Sequence, residues 1–299
     1  MQHKSVLLQK AIDGLEIKSG DIFVDGTLGG GGHSEEVCKR FGDKVKVIGI
    51  DMDSEAILRA EKRLSDQNFK AIFLQGNFRN IDAILNSAGI EKVDKILLDI
   101  GLSSNQFEDS GRGFSFQKDE PLIMSFKKEL EDQDLTAGEI VNRWDEENLE
   151  AILEGYGEEQ FAWRIARAIV SKRALKPIQT TFELVDIILG ATPKFYHHRK
   201  IHPATKTFQA LRIAVNDEIR ALKEGVQKSF EMLNPSGRLA VISFHSLEDR
   251  VVKQFFNEYE KNGVGKKISK KPIVASKEET IDNPRSRSAK LRIIEKQPV

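Results

Sequence analysis

Ile22-Phe23-Val24-Asp25-Gly26-Thr27-Leu28-Gly29-Gly30-Gly31-Gly32-His33 reads as an apolar strand that ends in a carboxylate, followed by a glycine run that opens a helix. The four consecutive glycines remove every Cβ where the chain turns. Peptide N–H groups and a helix N-terminus can therefore lie flush against a bound small molecule. Two nucleotide readings fail on the letters. The dinucleotide fingerprint needs G-x-G-x-x-G and the P-loop needs a Gly-Lys-Ser/Thr ending, whereas this run closes on Gly-His. A pyrophosphate has no use for a carboxylate at the strand end. A cationic cofactor that carries an amino acid does, with Asp25 placed to face its charge, and S-adenosylmethionine fits that description.

Val47-Ile48-Gly49-Ile50-Asp51 is a second apolar strand ending in an acid, one helix-length further on. An acid about 20 residues beyond a glycine loop is the ribose-binding arrangement of doubly wound α/β folds, so Asp51 is the candidate for the ribose hydroxyls. The competing reading is a tight strand-to-helix turn with a solvated acid on the next strand.

The chain has 299 residues, enough for one large or two modest domains. Its one cysteine, Cys38, excludes an internal disulfide, and no Cys/His cluster has zinc spacing, so a reducing cytoplasmic setting without a metal is expected. The apolar run Val6-Leu7-Leu8 is far too short for a signal peptide or membrane span. Net charge is zero, with 46 basic and 46 acidic side chains, but it is unevenly distributed. Residues 129 to 159 hold twelve acids and one base, Arg143; from Lys261 onward there are eleven bases and four acids. The basic segment reads equally as a phosphate-facing surface or as a solvated tail.

Strand-like runs recur at Ile22–Asp25, Val45–Asp51, Ala71–Leu74, Lys95–Asp99 and Arg238–Phe244, with helical stretches between the first four. This alternation predicts a parallel α/β sheet. After Asp99 about a hundred residues pass without a convincing strand, which predicts an inserted helical domain. Within it, Phe161, Ile165, Ala168 and Ile169 mark an amphipathic helix whose other faces carry Arg164, Arg167 and Arg173, and Ile140, Trp144, Leu149 and Ile152 are its packing positions before that. A helix from about Thr205 bears one stripe, Phe208, Leu211, Val215, Ile219 and Leu222, and ends before the turn Asn234-Pro235-Ser236-Gly237. A last strand is expected at Ala289–Ile294, and the Lys-rich 263–276 as a mobile loop. The domain expectation is thus 1–108 and 205–299 for the sheet, the latter with the basic segment, and 109–204 for the insertion.

In an open α/β sheet the ligand lies at the carboxyl ends of the strands. Besides the glycine loop, that edge receives Gly76-Asn77-Phe78, Asp99 to Gln106 and Ser243-Phe244-His245-Ser246. Phe78 is placed to stack on an adenine; Asp99, Ser103, Ser104 and Gln106 are placed to hydrogen-bond it, the methionyl group or a substrate. Ser246-Leu247-Glu248-Asp249 reads as a capping box, leaving His245 before the cap either as structure or as a substrate contact. His33 equally fits a ligand contact or helix filler. Methyl transfer is mainly positioning chemistry. Attack through a pyrimidine C5 needs a cysteine nucleophile, and Cys38 lies on a helix away from the strand ends. An exocyclic amine needs instead an acceptor for its N–H, for which Asp99 or the carbonyls of Ile100 and Gly101 are candidates. Arg112-Gly113-Phe114-Ser115-Phe116 supplies a ring for an extruded base and a guanidinium for phosphate, or else anchors the insertion.

Taken together, the blocks His3 to Leu8, Asp25 to Ser34, Leu98 to Ser104, Arg112 to Phe116, Tyr156 to Glu159, His202 to Thr205, Phe208 to Ile213, Ser243 to Arg250 and Pro284 to Arg292 resemble the bacterial small-subunit ribosomal RNA cytosine-N4 methyltransferases over the whole chain. That resemblance implies a Rossmann-like methyltransferase sheet interrupted by a helical substrate-recognition domain. It implies cofactor contacts at Gly31, Gly32, His33, Asp51, Phe78, Asp99 and Gln106, to which the residue-level reading adds Asp25. The residue-level reading adds Asp99 or His245 as catalytic candidates and RNA contacts through Arg112 and Phe114; the resemblance gives the basic C-terminal segment, with Arg285 and Arg287, the same RNA partner. The implied partner is ribosomal RNA within an assembled 30S subunit, with no membrane partner and the enzyme a monomer or homodimer. The chain departs from the family's Pro-Leu-Asp-Met-Arg at Pro121-Leu122-Ile123-Met124-Ser125. That departure keeps a second reading in view: a catalytically weakened RNA-binding ribosome assembly factor that retains the fold. A third, an enzyme acting on a protein or small molecule, would be insensitive to ribonuclease.

Overall fold

The strands are near-continuous aliphatic runs because both of their faces are covered, as parallel sheets require. The computed structural model describes residues 4–101, 111–127, 129–131 and 133–298, and it divides into two units, Met1–Gly101 with Ile219–Val299, and Leu102–Glu218.

The first unit carries α1 (Leu8–Leu15), β1 (Ile22–Asp25), α2 (Gly32–Phe41), β2 (Lys46–Asp51), α3 (Ser54–Ser65), β3 (Ala71–Gln75), α4 (Ile81–Ser87) and β4 (Val93–Asp99). After the insertion come α11 (Glu218–Met232), β5 (Leu233–Ser243), α12 (Ser246–Lys261), β6 (Gly265–Lys267), β7 (Ile273–Val274), α13 (Lys277–Asp282) and β8 (Lys290–Lys296). The sheet order is β3-β2-β1-β4-β5-β8-β6, with β7 also on β8. The first five strands are parallel and β8 is antiparallel to β5. Alternate residues of each strand enter opposite cores. Val24, Ile48, Ile96 and Val241 pack with α4, α11 and α12 through Leu85, Val226 and Phe256. Phe23, Val47, Leu97 and Ile242 pack with α1, α2 and α3 through Ile12, Val37 and Leu64. Helices on both faces make this the doubly wound arrangement.

The second unit consists, among the described residues, of α5 (Ala137–Arg143), α6 (Glu146–Gly155), α7 (Ala162–Arg173), α8 (Thr181–Ala191), α9 (Lys194–His197) and α10 (Ala204–Asn216). It has a core of its own, in which Ile140, Leu149, Ile165, Ile169, Leu184, Phe208 and Leu211 meet. Among the described residues no helix is long and apolar enough to cross a membrane.

The structure differs from the sequence expectation in four places. The helix predicted from Thr205 is two helices: Asp217 adopts a left-handed conformation (φ 50°), the conformation Asn and Asp tolerate best outside glycine. Asn216 fixes that break by donating to the carbonyls of Met124 and Arg212. The supposed single stripe therefore splits, with Phe208, Leu211 and Val215 in the insertion core and Ile219 and Leu222 in the sheet core. Consequently α10 belongs with the insertion, which closes at Glu218 rather than at residue 204. The turn at residues 234–237 is absorbed into β5 as an irregularity, since the ladder passes from Val93↔Leu233 to Lys95↔Arg238. The 263–276 segment is not merely a loop: β6 and β7 both hydrogen-bond to β8. Finally, α1 was not anticipated; Ala11, Ile12 and Leu15 are its buried stripe.

Among the eleven basic side chains from Lys261 onward, Lys290, Arg292 and Lys296 are engaged within the fold. Arg292 donates to Asp249 at 2.7 and 3.2 Å, joined by Lys290 at 3.2 Å, and Lys296 donates to the carbonyls of Phe230, Glu231 and Leu233. Arg292 and Asp249 are 8% and 9% exposed, so removing one partner strands a buried charge. Asp249→Ala is expected to lower unfolding free energy by about 3–5 kcal/mol in a urea titration, and an unchanged midpoint would refute this account of the pair.

Candidate functional site

The site is built from the polar residues that end successive parallel strands. Asp25 ends β1, Asp51 ends β2 and Asp99 ends β4. Between β1 and α2 the loop turns through left-handed Gly29 (φ 51°) and Gly31 (φ 72°). The glycines have different reasons to be glycines. A Cβ on Gly31 would sit 2.9 Å from Ala60 Cβ, and one on Gly32 would collide with Ser5 Oγ. At Gly30 a Cβ would meet nothing within 4 Å, and at Gly29 only the Thr27 carbonyl at 3.9 Å. The backbone at residues 29–30 thus faces open space, while 31–32 is seated on neighbouring elements.

The acids hold this loop in place. Asp51 accepts from the backbone N–H of Gly29 at 2.8 Å and of Asp53 at 2.9 Å. Asp25 accepts from Ser34 Oγ at 2.9 Å and the Thr27 N–H at 3.4 Å, and from the Ser34 N–H at the start of α2. The Asp99 N–H in turn donates to Thr27 Oγ1 at 2.6 Å, and the Gly26 N–H to the Leu97 carbonyl at 2.9 Å. The glycine loop is therefore tied to β1, β2 and β4 at once.

All three of these carboxyls are shifted upward. Burial pushes Asp99 to about 7, with Asp25 and Glu248 nearby adding repulsion, against one stabilising N–H from Gly101. Burial likewise raises Asp25 to about 6, opposed by its bonds to Ser34 and Thr27, and burial also raises Asp51. Three acids crowded at one strand edge favour a positively charged ligand.

The other sequence-predicted residues fall as follows. Asp25 does not face the crevice: it is 1% exposed and bound behind the loop, so its influence on a cation is through the field and the loop geometry. His33 is buried, its Nε2 3.2 Å from the Val6 carbonyl. Phe78 opens a short turn, half-buried, with its ring close against Gly225. Gln106 lies outside the described residues, as do Ser103 and Ser104. His245, expected before a cap, is itself the cap: its Nδ1 accepts the Glu248 N–H at 3.3 Å, while Glu248 accepts from the N–H groups of Phe244 and His245 at 2.7 and 3.2 Å. The capping box is thus displaced one residue from Ser246–Asp249, because Glu248, not Asp249, reaches back. Asp249 is engaged by Arg292 instead.

The RNA candidates in the insertion are corrected. Phe114 is 4% exposed and stacked on Phe126 at 5.6 Å, so it anchors the insertion core and offers no face to a base. Arg112 Nη1 donates to the carbonyls of Ser125, Phe126 and Lys127, so its guanidinium organises that turn. Arg285 and Arg287 lie in the Pro284–Ser288 turn, half-buried and exposed respectively. Cys38 is buried, its thiol pushed up by burial to about 11, and has no nucleophile's character.

Sequence reasoning missed Ser34 and Glu248. Ser34 carries no signal beyond its place in the first turn of α2. Glu248 was legible as the fourth residue of a box begun at His245, but histidine is not a usual cap.

A profile of the MraW methylase family matches residues 1–297. The ribosomal RNA small subunit methyltransferase H of Clostridium botulinum (strain Kyoto / Type A2) is 48% identical over 310 residues, covering 99% of both chains. That of strain 657 / Type Ba4 is likewise 48% identical over 99% of both. Among solved structures, SMU.1697c of Streptococcus mutans, in complex with SAH, aligns over 99% of both chains at 11% identity with a TM-score of 0.44.

Two outcomes are expected of the site. Gly31→Ala lowers the thermal midpoint, because the left-handed backbone and Ala60 both oppose a side chain, whereas Gly30→Ala leaves the midpoint near wild type and weakens cofactor affinity in calorimetry. Equal loss of stability in both variants would contradict the division of roles. Asp99 holds a proton in the folded chain that the unfolded chain releases above about pH 4, so its contribution to stability is present below that pH and is lost as pH rises through about 7. Asp99→Asn should therefore gain stability relative to wild type across that window, by at most about 4 kcal/mol at 1.36 kcal/mol per unit. A pH-independent difference in denaturant unfolding would refute the raised acid.

Proposed function

The chain belongs to the MraW methylase family, and from that premise we propose that it methylates the exocyclic N4 amine of a cytosine in the decoding region of small-subunit ribosomal RNA. The relatives that match it end to end are ribosomal RNA small subunit methyltransferases, which supports the RNA substrate. S-adenosylmethionine is the cofactor; when bound, it supplies an activated methyl group on a cationic sulfur.

The chain's residues fit that group. The open backbone of Gly29 and Gly30 leaves room for close approach. Asp51 is oriented by two N–H groups, so its remaining lone pairs are presented to ribose hydroxyls in a fixed direction. Phe78 is the candidate adenine platform. The crowded carboxyls Asp25, Asp51 and Asp99 favour a cation at the strand ends.

The observation that carries the mechanism is Asp99, raised to about 7 at the end of β4. An exocyclic cytosine amine is a poor nucleophile while its lone pair is conjugated into the ring. An acceptor for one N–H lets the nitrogen pyramidalise, and an acid poised near neutral pH is suited both to accept that proton and to release it. His245 is not suited to the task. Its Nδ1 accepts the Glu248 N–H, so in the neutral ring the hydrogen-bond pattern assigns the proton to Nε2, which lies 2.9 Å from Glu248 Oε1. Neither ring nitrogen then has a lone pair free for an amine proton.

The substitutions at Ile123 and Ser125 do not favour the weakened assembly factor. Their turn is held by backbone: the Met124 N–H donates to Arg112 O at 2.7 Å and the Ala137 N–H to Ile123 O at 3.0 Å, and Ser125 is buried. The backbone bonds of the turn are made without the acid and base that the family resemblance led one to expect there. We assign the phosphate contacts to Arg285 and Arg287, the chain's working form to a monomer or homodimer in the cytoplasm, and its target to the assembled 30S subunit.

The test is transfer of labelled methyl from S-adenosylmethionine to small subunits that lack the modification. Ribonuclease-sensitive label at a cytosine N4 is expected. No label, with normal cofactor binding by calorimetry, would reject the proposal. At saturating cofactor, Asp99→Asn is expected to lower kcat by about 10²–10⁴-fold, while His245→Asn, which keeps a capping oxygen, retains most turnover.

A further inference from the structure

The exposed side of α7 is not an ordinary charged helix face. Trp163 is 45% exposed, as is Phe195 of α9 at 60%, and Arg164, Arg167 and Arg199 are exposed beside them. These groups form one connected series. The Arg167 guanidinium lies 5.7 Å from the Trp163 ring and that of Arg164 lies 5.0 Å from it. Arg164 is also 5.8 Å from the Phe161 ring. Phe161 meets Phe195 at 6.2 Å and Tyr196 at 5.0 Å, and Arg199 lies 4.9 Å from Tyr196. Tyr196 anchors the array: it is buried and its hydroxyl donates to Glu159 Oε2 at 2.7 Å.

Solvated helix faces are made of long charged side chains, and large exposed rings are not needed there. Nor is the array an apolar patch for a protein groove, because the exposed Trp163 ring is bordered by the guanidiniums of Arg164 and Arg167, which docking would desolvate. A single-stranded polyanion with π-faces satisfies both components, since bases stack on rings and on Arg planes while phosphates take the remaining charge. A duplex keeps its base faces stacked inside and fits only the charge. Arg167 also pairs with Glu146 at 3.3 Å, but an exposed pair of this kind contributes little and yields to a phosphate.

We propose that Trp163, Phe195 and the three arginines form a stacking platform for unpaired nucleotides of the RNA substrate. The inference rests on the RNA reading above and adds its chemistry: the insertion grips single-stranded segments by base stacking rather than a helix by its backbone.

Trp144 and Trp163 are the chain's two tryptophans, so Trp144→Phe leaves Trp163 as the lone tryptophan, excited selectively at the red edge of the absorption band, in the full chain. Titration with a single-stranded oligocytidylate of about 10 nucleotides is expected to quench it saturably, with binding that weakens as salt rises, and a duplex of equal length is expected not to quench it. By anisotropy of the labelled oligomer, Trp163→Ala should raise Kd roughly 5- to 150-fold, the range expected for loss of one stacked base. Trp163→Phe should restore it, with the thermal midpoint and cofactor Kd unchanged in both. Absence of quenching at saturating oligomer, equal quenching by the duplex, or an unchanged Kd in Trp163→Ala would each overturn the platform. Because the readout needs no turnover, a protein that stacks RNA but transfers no methyl overturns the preceding reading alone, and one that transfers methyl with an indifferent Trp163 overturns this one alone.

Discussion

The architecture of this site depends on carboxylates that bind backbone rather than solvent. Asp25 and Asp51 end adjacent parallel strands, and each spends oxygen lone pairs on N–H groups of the glycine loop or of the following helix. A glycine run has the largest conformational entropy of any sequence to lose on folding. Left to itself it would not hold one shape. Charge-assisted bonds from two strands, together with the seating of Gly31 against Ala60, give it one shape without filling the space in front of Gly29 and Gly30.

The same choice has an electrostatic consequence. Acids used as structural acceptors must be partly buried, and burying several of them at one edge raises their proton affinity; Asp99, with the poorest set of donors, is raised furthest. In the unliganded protein this is a cost in stability. For the proposed reaction, which would begin with a cation and need a proton acceptor, the same environment is an advantage, and Asp99 is the acid that the fold leaves least satisfied.

The sheet was legible in the sequence because its signals are local and redundant: five apolar runs each closed by a turn or an acid, with both faces buried so that no alternation could mislead. Glycine loop, Asp51 and Asp99 followed from the same edge rule. What was not legible depended on distant partners. Nothing local distinguishes a stripe shared by two cores, as at Val215 and Ile219, from a stripe on one helix. Asp25 looks available until Ser34 is placed beside it. Phe114 and Arg112 look like an RNA motif, yet Phe126 and three carbonyls use them up. Likewise part of the basic tail is structural, with Arg292 and Lys290 held by Asp249 and Lys296 by carbonyls at the α11–β5 junction.

The position of β8 bears on how the chain is made. It comes after every other strand in sequence, yet it lies inside the sheet, between β5 and β6, and also pairs with β7. During synthesis, β6 and β7 emerge before the strand they pair with, and the aliphatic edge of β5 stays uncovered until that strand arrives. The helical insertion, whose contacts are nearer in sequence, is complete much earlier. A nascent polypeptide therefore completes the helical unit before the sheet, and loss of β8 would leave an open, sticky β-edge on β5.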